Sequence, residues 1–125
     1  MVNTVTLHDK QFNKFISADK IQKAIDHIAK KINKDFKGKR PVFLSVLNGS
    51  FLFTADLLKK VKMECEISFI KVSSYSGTQT SGNIKTLIGL HEDMKDRSVI
   101  ILEDIVDSGN TIEKVVRELK GHNPK

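Results

Sequence analysis

The sequence predicts an α/β fold, a parallel sheet covered by helices, and three observations carry that prediction. Two runs of strand length, PVFLSVL (41–47) and SVIIL (98–102), are apolar almost throughout, the pattern of strands buried on both faces. Amphipathic helical segments come before and after them, giving a helix–strand–helix–strand order. The length of 125 residues, with 39% apolar and 29% charged side chains, suits one domain spanning 1–125 with a core of its own.

Each element has its own warrant. Residues 1–16 read as an irregular arm carrying Leu7, Phe12, Phe15 and Ile16. Ser17 offers a helix N-cap, and Ile21, Ile25, Ile28 and Ile32 follow on one face of an amphipathic helix that ends before the Gly38–Pro41 break. Lys20, Lys23, Lys30 and Lys31 on its other face read as a solvated surface. Asn48-Gly49-Ser50 breaks the first apolar strand, and FLFTADLLKKV (51–61) resumes as a helix with Phe53, Leu57 and Val61 on one side. Met63, Cys65, Ile67 and Phe69 then alternate with Glu64, Glu66 and Ser68, which predicts a strand. SSYSGTQTSGN (73–83) is a loop of small polar residues around Tyr75, long enough to act as a lid and expected to be poorly ordered without ligand. A strand near Ile84–Leu90, the charged turn HEDMKDR (91–97) and the strand at 98–102 follow. The last helix starts at Thr111, with Ile112, Val115, Val116 and Leu119 on one face and Gly121 placed as a C′ glycine. The alternating pattern would continue into a further strand after GHNPK (121–125).

Composition excludes several classes of function. Lys plus Arg number 21 against 15 Asp plus Glu, a net charge of +6, which suits a phosphate-bearing partner without choosing between nucleic acid and a small anion. No apolar run approaches the ~18 residues that cross a bilayer, and MVNTVTLHDK lacks a secretory core, so no membrane partner is expected. Cys65 is the one cysteine, which excludes an internal disulfide and a cysteine zinc site. His8, His27, His91 and His122 are dispersed. A reducing, cytoplasmic setting is the expectation.

The chemistry concentrates in VIILEDIVDSGNT (99–111). A buried strand delivers adjacent carboxylates, Glu103 and Asp104, to its carboxyl end, the place where ligands of open parallel sheets sit. Asp107 follows, and Ser108-Gly109-Asn110-Thr111 opens a helix. Backbone N–H groups at the positive end of a helix dipole make a seat for a phosphate, which Ser108 and Thr111 extend with hydroxyls and Gly109 opens to close approach. The paired carboxylates can hold sugar hydroxyls or a hydrated Mg²⁺. Singly, each acid could be solvated, and Asp107 could be an N-cap. The segment has neither a Walker lysine nor the spacing of a dinucleotide glycine fingerprint.

This segment resembles the phosphoribosyl-pyrophosphate motif of the type I phosphoribosyltransferases, and the order of the whole chain is similar to their bacterial hypoxanthine-guanine branch. SVLNGSFLFTADLLKKV (45–61) resembles that family's pyrophosphate loop and following helix, and SSYSGTQTSGNIK (73–85) its mobile loop, with Ser74-Tyr75 as the Ser-Tyr pair. The resemblance implies a Rossmann-like parallel core and purine salvage: transfer of phosphoribosyl from phosphoribosyl pyrophosphate to hypoxanthine or guanine. It implies that Glu103 and Asp104 hold the ribose hydroxyls and assist Mg²⁺, that Asp107 serves as general base near purine N7, and that Ser108, Gly109, Asn110 and Thr111 cradle the 5′-phosphate. Leu47, Asn48 and Gly49 would meet the pyrophosphate across a cis peptide after Leu47, and Tyr75 would close over the reacting carbon. A homo-oligomer is implied as well.

Two departures stand out. Asn48 occupies a place where members commonly carry a lysine. The family's purine contacts come from a C-terminal portion that would lie beyond Lys125, so the 125 residues are expected to bind phosphoribosyl pyrophosphate and to form little nucleotide alone. The competing expectations are an inactive fragment and a regulator of the same fold that senses phosphoribosyl pyrophosphate and binds nucleic acid, although no aromatic-basic stripe supports the latter.

Overall fold

In the computed structural model, which describes residues 3–74, 84–90 and 93–125, the chain opens not with an irregular arm but with a β-hairpin. Strands β1 (Thr4–Leu7) and β2 (Lys10–Asn13) pair antiparallel around His8-Asp9, with His8 at a positive φ of 55° that suits a tight two-residue turn. The register places Val5 opposite Phe12, and both strands are exposed along their length. Helix α1 (Ala18–Asp35) starts where Ser17 Oγ accepts from the Lys20 N–H at 3.3 Å. Its buried stripe is Ile25, Ala29 and Ile32, while Ile21 and Ile28 lie on the flank, more than a third exposed. Strand β3 (Val42–Leu47) leads into helix α2 (Phe51–Leu58), then β4 (Glu66–Ser74), β5 (Ile84–Ile88), β6 (Val99–Leu102) and helix α3 (Asn110–Lys120).

The main sheet has the order β5-β4-β3-β6. Strand β3 runs parallel to both β4 and β6, as its apolar run predicts, but β5 is antiparallel to β4. The reason is the connection: parallel neighbours need a crossover of a dozen residues or more, whereas nine residues separate Ser74 from Ile84. Strand β4 also extends through Ser73 and Ser74, which the sequence assigned to the loop. Residues 75–83, with Tyr75 and the lid reading placed on them, lie outside the described residues.

Helices cover both faces of β3. On one side Val42, Leu44, Val46 and Ile70 meet Val115 and Leu119 of α3, with Met94 from the charged turn fully buried among them. On the other, Phe43 and Leu102 meet Ile25, Ala29 and Ile32 of α1 and Leu57 of α2. The amino ends of the strands are tied by charge: Arg97 Nη1 reaches Glu66 at 3.1 Å and Nη2 donates to the Arg40 carbonyl at 2.9 Å, while Arg40 Nε meets Glu64 at 3.1 Å. This cluster sits opposite the end that carries the motif acids. Gly121 is the C-cap of α3 in a right-handed conformation (φ −64°), so the left-handed residue of this terminus is Asn123 (φ 52°) instead of a C′ glycine.

The Ser17 cap yields one expected result. Ser17→Ala removes the acceptor for the Lys20 N–H and should cost about 1 kcal/mol, a drop in melting temperature of about 3–5 °C. An unchanged melting curve would mean that the cap contributes nothing.

Candidate active site

Strands β3 and β6 bring two loops to the same edge of the sheet. Ser45 of β3 stands in register with Leu102 of β6, so the turn after Leu47 and the acids after Leu102 begin at nearly the same level. Asn48 and Gly49 are exposed, and the Leu47–Asn48 peptide is cis, as the resemblance implied. The two loops touch at Gly49: a Cβ there would stand 2.7 Å from the carboxyl carbon of Asp104. Only a residue without a side chain lets the carboxylate lie against this backbone.

Glu103 and Asp104 are not equivalent. Burial pushes the Glu103 carboxyl above the ordinary glutamate range, and its hydrogen bond to Asp104 adds to the effect. Asp104 is exposed and is held below the ordinary aspartate range, chiefly as the acceptor of that bond. Its own amide donates to Glu103 Oε1 at 3.0 Å. The pair therefore takes its first proton on Glu103. In metal-free buffer Glu103→Ala should let Asp104 titrate at a higher pH, followed through its carboxyl carbon by NMR. An unmoved Asp104 titration would show that the two do not share a proton.

Beyond the acids, a recess of about 80 Å³ lies between Glu103 and residues 105–109, closed by Thr111 and Ile112. Gly109 adopts φ +86°, a left-handed turn that glycine takes without strain, and starts α3. Ser108 Oγ accepts from the Asn110 N–H at 3.3 Å. The N-cap residue Gly109 has no side chain to cap the helix, so apart from the Asn110 N–H the first amides of α3 are left to an anion. Of the residues singled out in the sequence, Glu103, Asp107, Ser108, Gly109 and Thr111 line this recess. Asp104 instead borders Gly49, Asn110 is not among the lining residues, and Ser74 ends β4.

Sequence reasoning missed two residues here. Ile105 and Val106 line the recess while 72% and 61% exposed. Apolar side chains held in water beside an anion seat fit a ligand with an apolar or aromatic part. Their signal was an apolar pair inside an otherwise acidic and polar turn. Among the described residues no group of three or more His, Cys, Asp or Glu is placed to hold a metal ion, and no helix is long and apolar enough to cross a membrane.

Comparison with known proteins agrees with this arrangement. The phosphoribosyl transferase domain family matches residues 16–125. The hypoxanthine phosphoribosyltransferase of Buchnera aphidicola is 38% identical over 113 residues, which cover 88% of this chain and 64% of that protein. A crystal structure of a Bacillus anthracis hypoxanthine-guanine phosphoribosyltransferase, with HEPES in its active site, superposes with a TM-score of 0.83 at 36% identity, covering 90% of this chain and 68% of that one. The Trypanosoma cruzi hypoxanthine phosphoribosyltransferase in complex with the product IMP gives a TM-score of 0.75 at 35% identity, over 85% of this chain and 62% of the other. The chain thus spans less than two thirds of the length of its curated relative in Buchnera. With the match running from α1 through α3 and the two loops meeting at one sheet edge, the chain belongs to the phosphoribosyl transferase family, on the branch of the hypoxanthine and hypoxanthine-guanine phosphoribosyltransferases.

Proposed function

We propose that this chain carries the phosphoribosyl-pyrophosphate site of a purine-salvage enzyme that transfers the phosphoribosyl group to hypoxanthine or guanine, giving IMP or GMP and pyrophosphate. The observation that carries the reading is the meeting of Gly49 with Asp104 beside the recess at 105–109, which supports two neighbouring sites for phosphate groups, one on each loop. In this reading the 5′-phosphate lies on Ser108, Gly109, Asn110 and Thr111, and the pyrophosphate meets Leu47, Asn48 and Gly49. Glu103 and Asp104 hold the ribose hydroxyls, while Ile105 and Val106 offer an apolar rim to the base. The bond from the sugar carbon to pyrophosphate breaks as the bond to the purine nitrogen forms, and Asp107 exchanges the proton near N7.

Two adjacent carboxylates are hard oxygen donors that fit Mg²⁺, an ion that usually keeps waters and substrate phosphate oxygens alongside one or two protein ligands. When bound, it would neutralise charge on the departing pyrophosphate. The reading places the protein in the cytoplasm as a homo-oligomer.

Thermal unfolding tests it. A ligand bound only by the folded state stabilises by mass action, about 2.7 kcal/mol at a hundredfold excess over Kd, so phosphoribosyl pyrophosphate with Mg²⁺ should raise the melting temperature by several degrees. A folded sample whose melting curve ignores saturating ligand would refute the site.

A further inference from the structure

Strand β3 is apolar except for Ser45, and Ser45 is fully buried. Its Oγ stands 2.7 Å from Ser50 Oγ and 2.8 Å from Thr54 Oγ1, and both of those residues are buried as well. Ser50 Oγ donates in turn to the Val46 carbonyl at 2.6 Å. Proton bookkeeping gives this cluster a direction. Each hydroxyl has one proton, and the one on Ser50 goes to Val46. For every close oxygen pair to hold a proton, Ser45 donates to Ser50 and Thr54 donates to Ser45. The cluster is a one-way chain running from α2 through β3 to the carbonyl that precedes the Leu47–Gly49 turn.

Two further observations tie this chain to the turn and not to the helix. Ser50 is the N-cap residue of α2, where a serine ordinarily accepts from an amide of the first turn, yet its side chain makes no such bond. The Val46 carbonyl also receives the Ser50 N–H at 3.3 Å. The residues flanking 47–49 are thus closed on each other by two bonds, and the turn they enclose is the one that lies against Asp104.

We infer that Ser50, braced by Ser45 and Thr54, is a positioning residue for the Leu47–Gly49 turn and through it for a bound pyrophosphate group, an inference that rests on the function proposed above. Fully satisfied buried hydroxyls fix geometry more sharply than an apolar contact does, because each has one good arrangement and a high cost for leaving it.

Calorimetric titration of the 125-residue chain with Mg²⁺-pyrophosphate and, separately, with ribose 5-phosphate tests this. Ser50→Ala should weaken pyrophosphate about tenfold and leave ribose 5-phosphate within about twofold, since the 5′-phosphate seat is on the other loop. Thr54→Val should weaken pyrophosphate severalfold, and Thr54→Ser, which keeps the hydroxyl, should restore it. Unchanged pyrophosphate affinity in a folded Ser50→Ala, or equal losses for both ligands, would overturn the inference. If Ser50→Ala shows no cooperative melt, the Thr54 pair decides by the same criteria. A parent chain that bound neither ligand would overturn the functional reading and this inference together. A parent that binds both, with variants that show no split, overturns this inference alone.

Discussion

Gly49→Ala is expected to weaken binding of Mg²⁺ with phosphoribosyl pyrophosphate at least about 100-fold, some 2.7 kcal/mol, and to leave the fold intact. A Cβ at this position would stand less than 3.0 Å from both oxygens and the carbon of the Asp104 carboxyl, closer than real Cβ contacts allow. The atoms it meets belong to an exposed side chain, which can swing away without disturbing β3 or β6. The clash is therefore relieved at the site and not in the core: the carboxylate leaves the position in which it faces the turn. Isothermal titration measures the first effect and the melting temperature the second. Binding within about threefold of the parent would show that the contact between the two loops has no bearing on the ligand. A collapse of the melting temperature would show instead that the loops brace the fold.

That contact could not be read from the sequence, and the reason is physical. The acids of 103–107 announce themselves locally, because an apolar strand ending in two carboxylates and a glycine-containing helix start is a continuous pattern. The touch between Gly49 and Asp104 depends on the register Ser45↔Leu102, set by pairing across more than fifty residues. Ser45 is a similar case. In a one-dimensional reading it is a small interruption of an apolar strand; it gains meaning once α2 folds back and brings Ser50 and Thr54 within hydrogen-bond distance. Ile105 and Val106 carry no periodicity, and their exposure is visible in the fold alone.

The parallel core was legible because burial on both faces leaves almost no polar residue in β3; β6 is as apolar but lies at the sheet edge, where only Leu102 is buried and Val99, Ile100 and Ile101 are half-buried. The antiparallel β5 was not, since its direction follows from the short connection after Ser74 and not from its own residues. The hairpin at the start escaped notice for two reasons. Its strands are four residues each and exposed, and His8-Asp9 lacks the Asn-Gly or Asp-Gly signature of a two-residue turn. Met94 was hidden by its neighbours: Asp93 and Lys95 make the segment read as solvent-facing, yet the methionine is fully buried against the α3 side of the sheet.

The functional reading makes its strongest demand on Asp107. This side chain lines the recess together with the exposed Ile105 and Val106, so in the proposed reading it shares a wall with the apolar rim offered to the base. Asparagine has nearly the same shape but cannot accept a proton. Positioned acid–base groups contribute roughly 10²–10⁴-fold to rate, and in a version of the protein extended to the length of its relatives Asp107→Asn should lower nucleotide formation from hypoxanthine by that factor relative to the unsubstituted extended protein. Its effect on affinity for phosphoribosyl pyrophosphate should be small, because in the proposed reading the phosphate lies on the Ser108–Thr111 amides and hydroxyls, which the substitution leaves in place. Asp93→Asn is the matched control: Asp93 accepts from the Lys95 N–H at 3.0 Å in the charged turn, away from both loops, and its loss should leave the rate unchanged. If Asp107→Asn turned over hypoxanthine as fast as Asp93→Asn, the proton would travel by another route and Asp107 would be a wall of the recess, with no part in the chemistry.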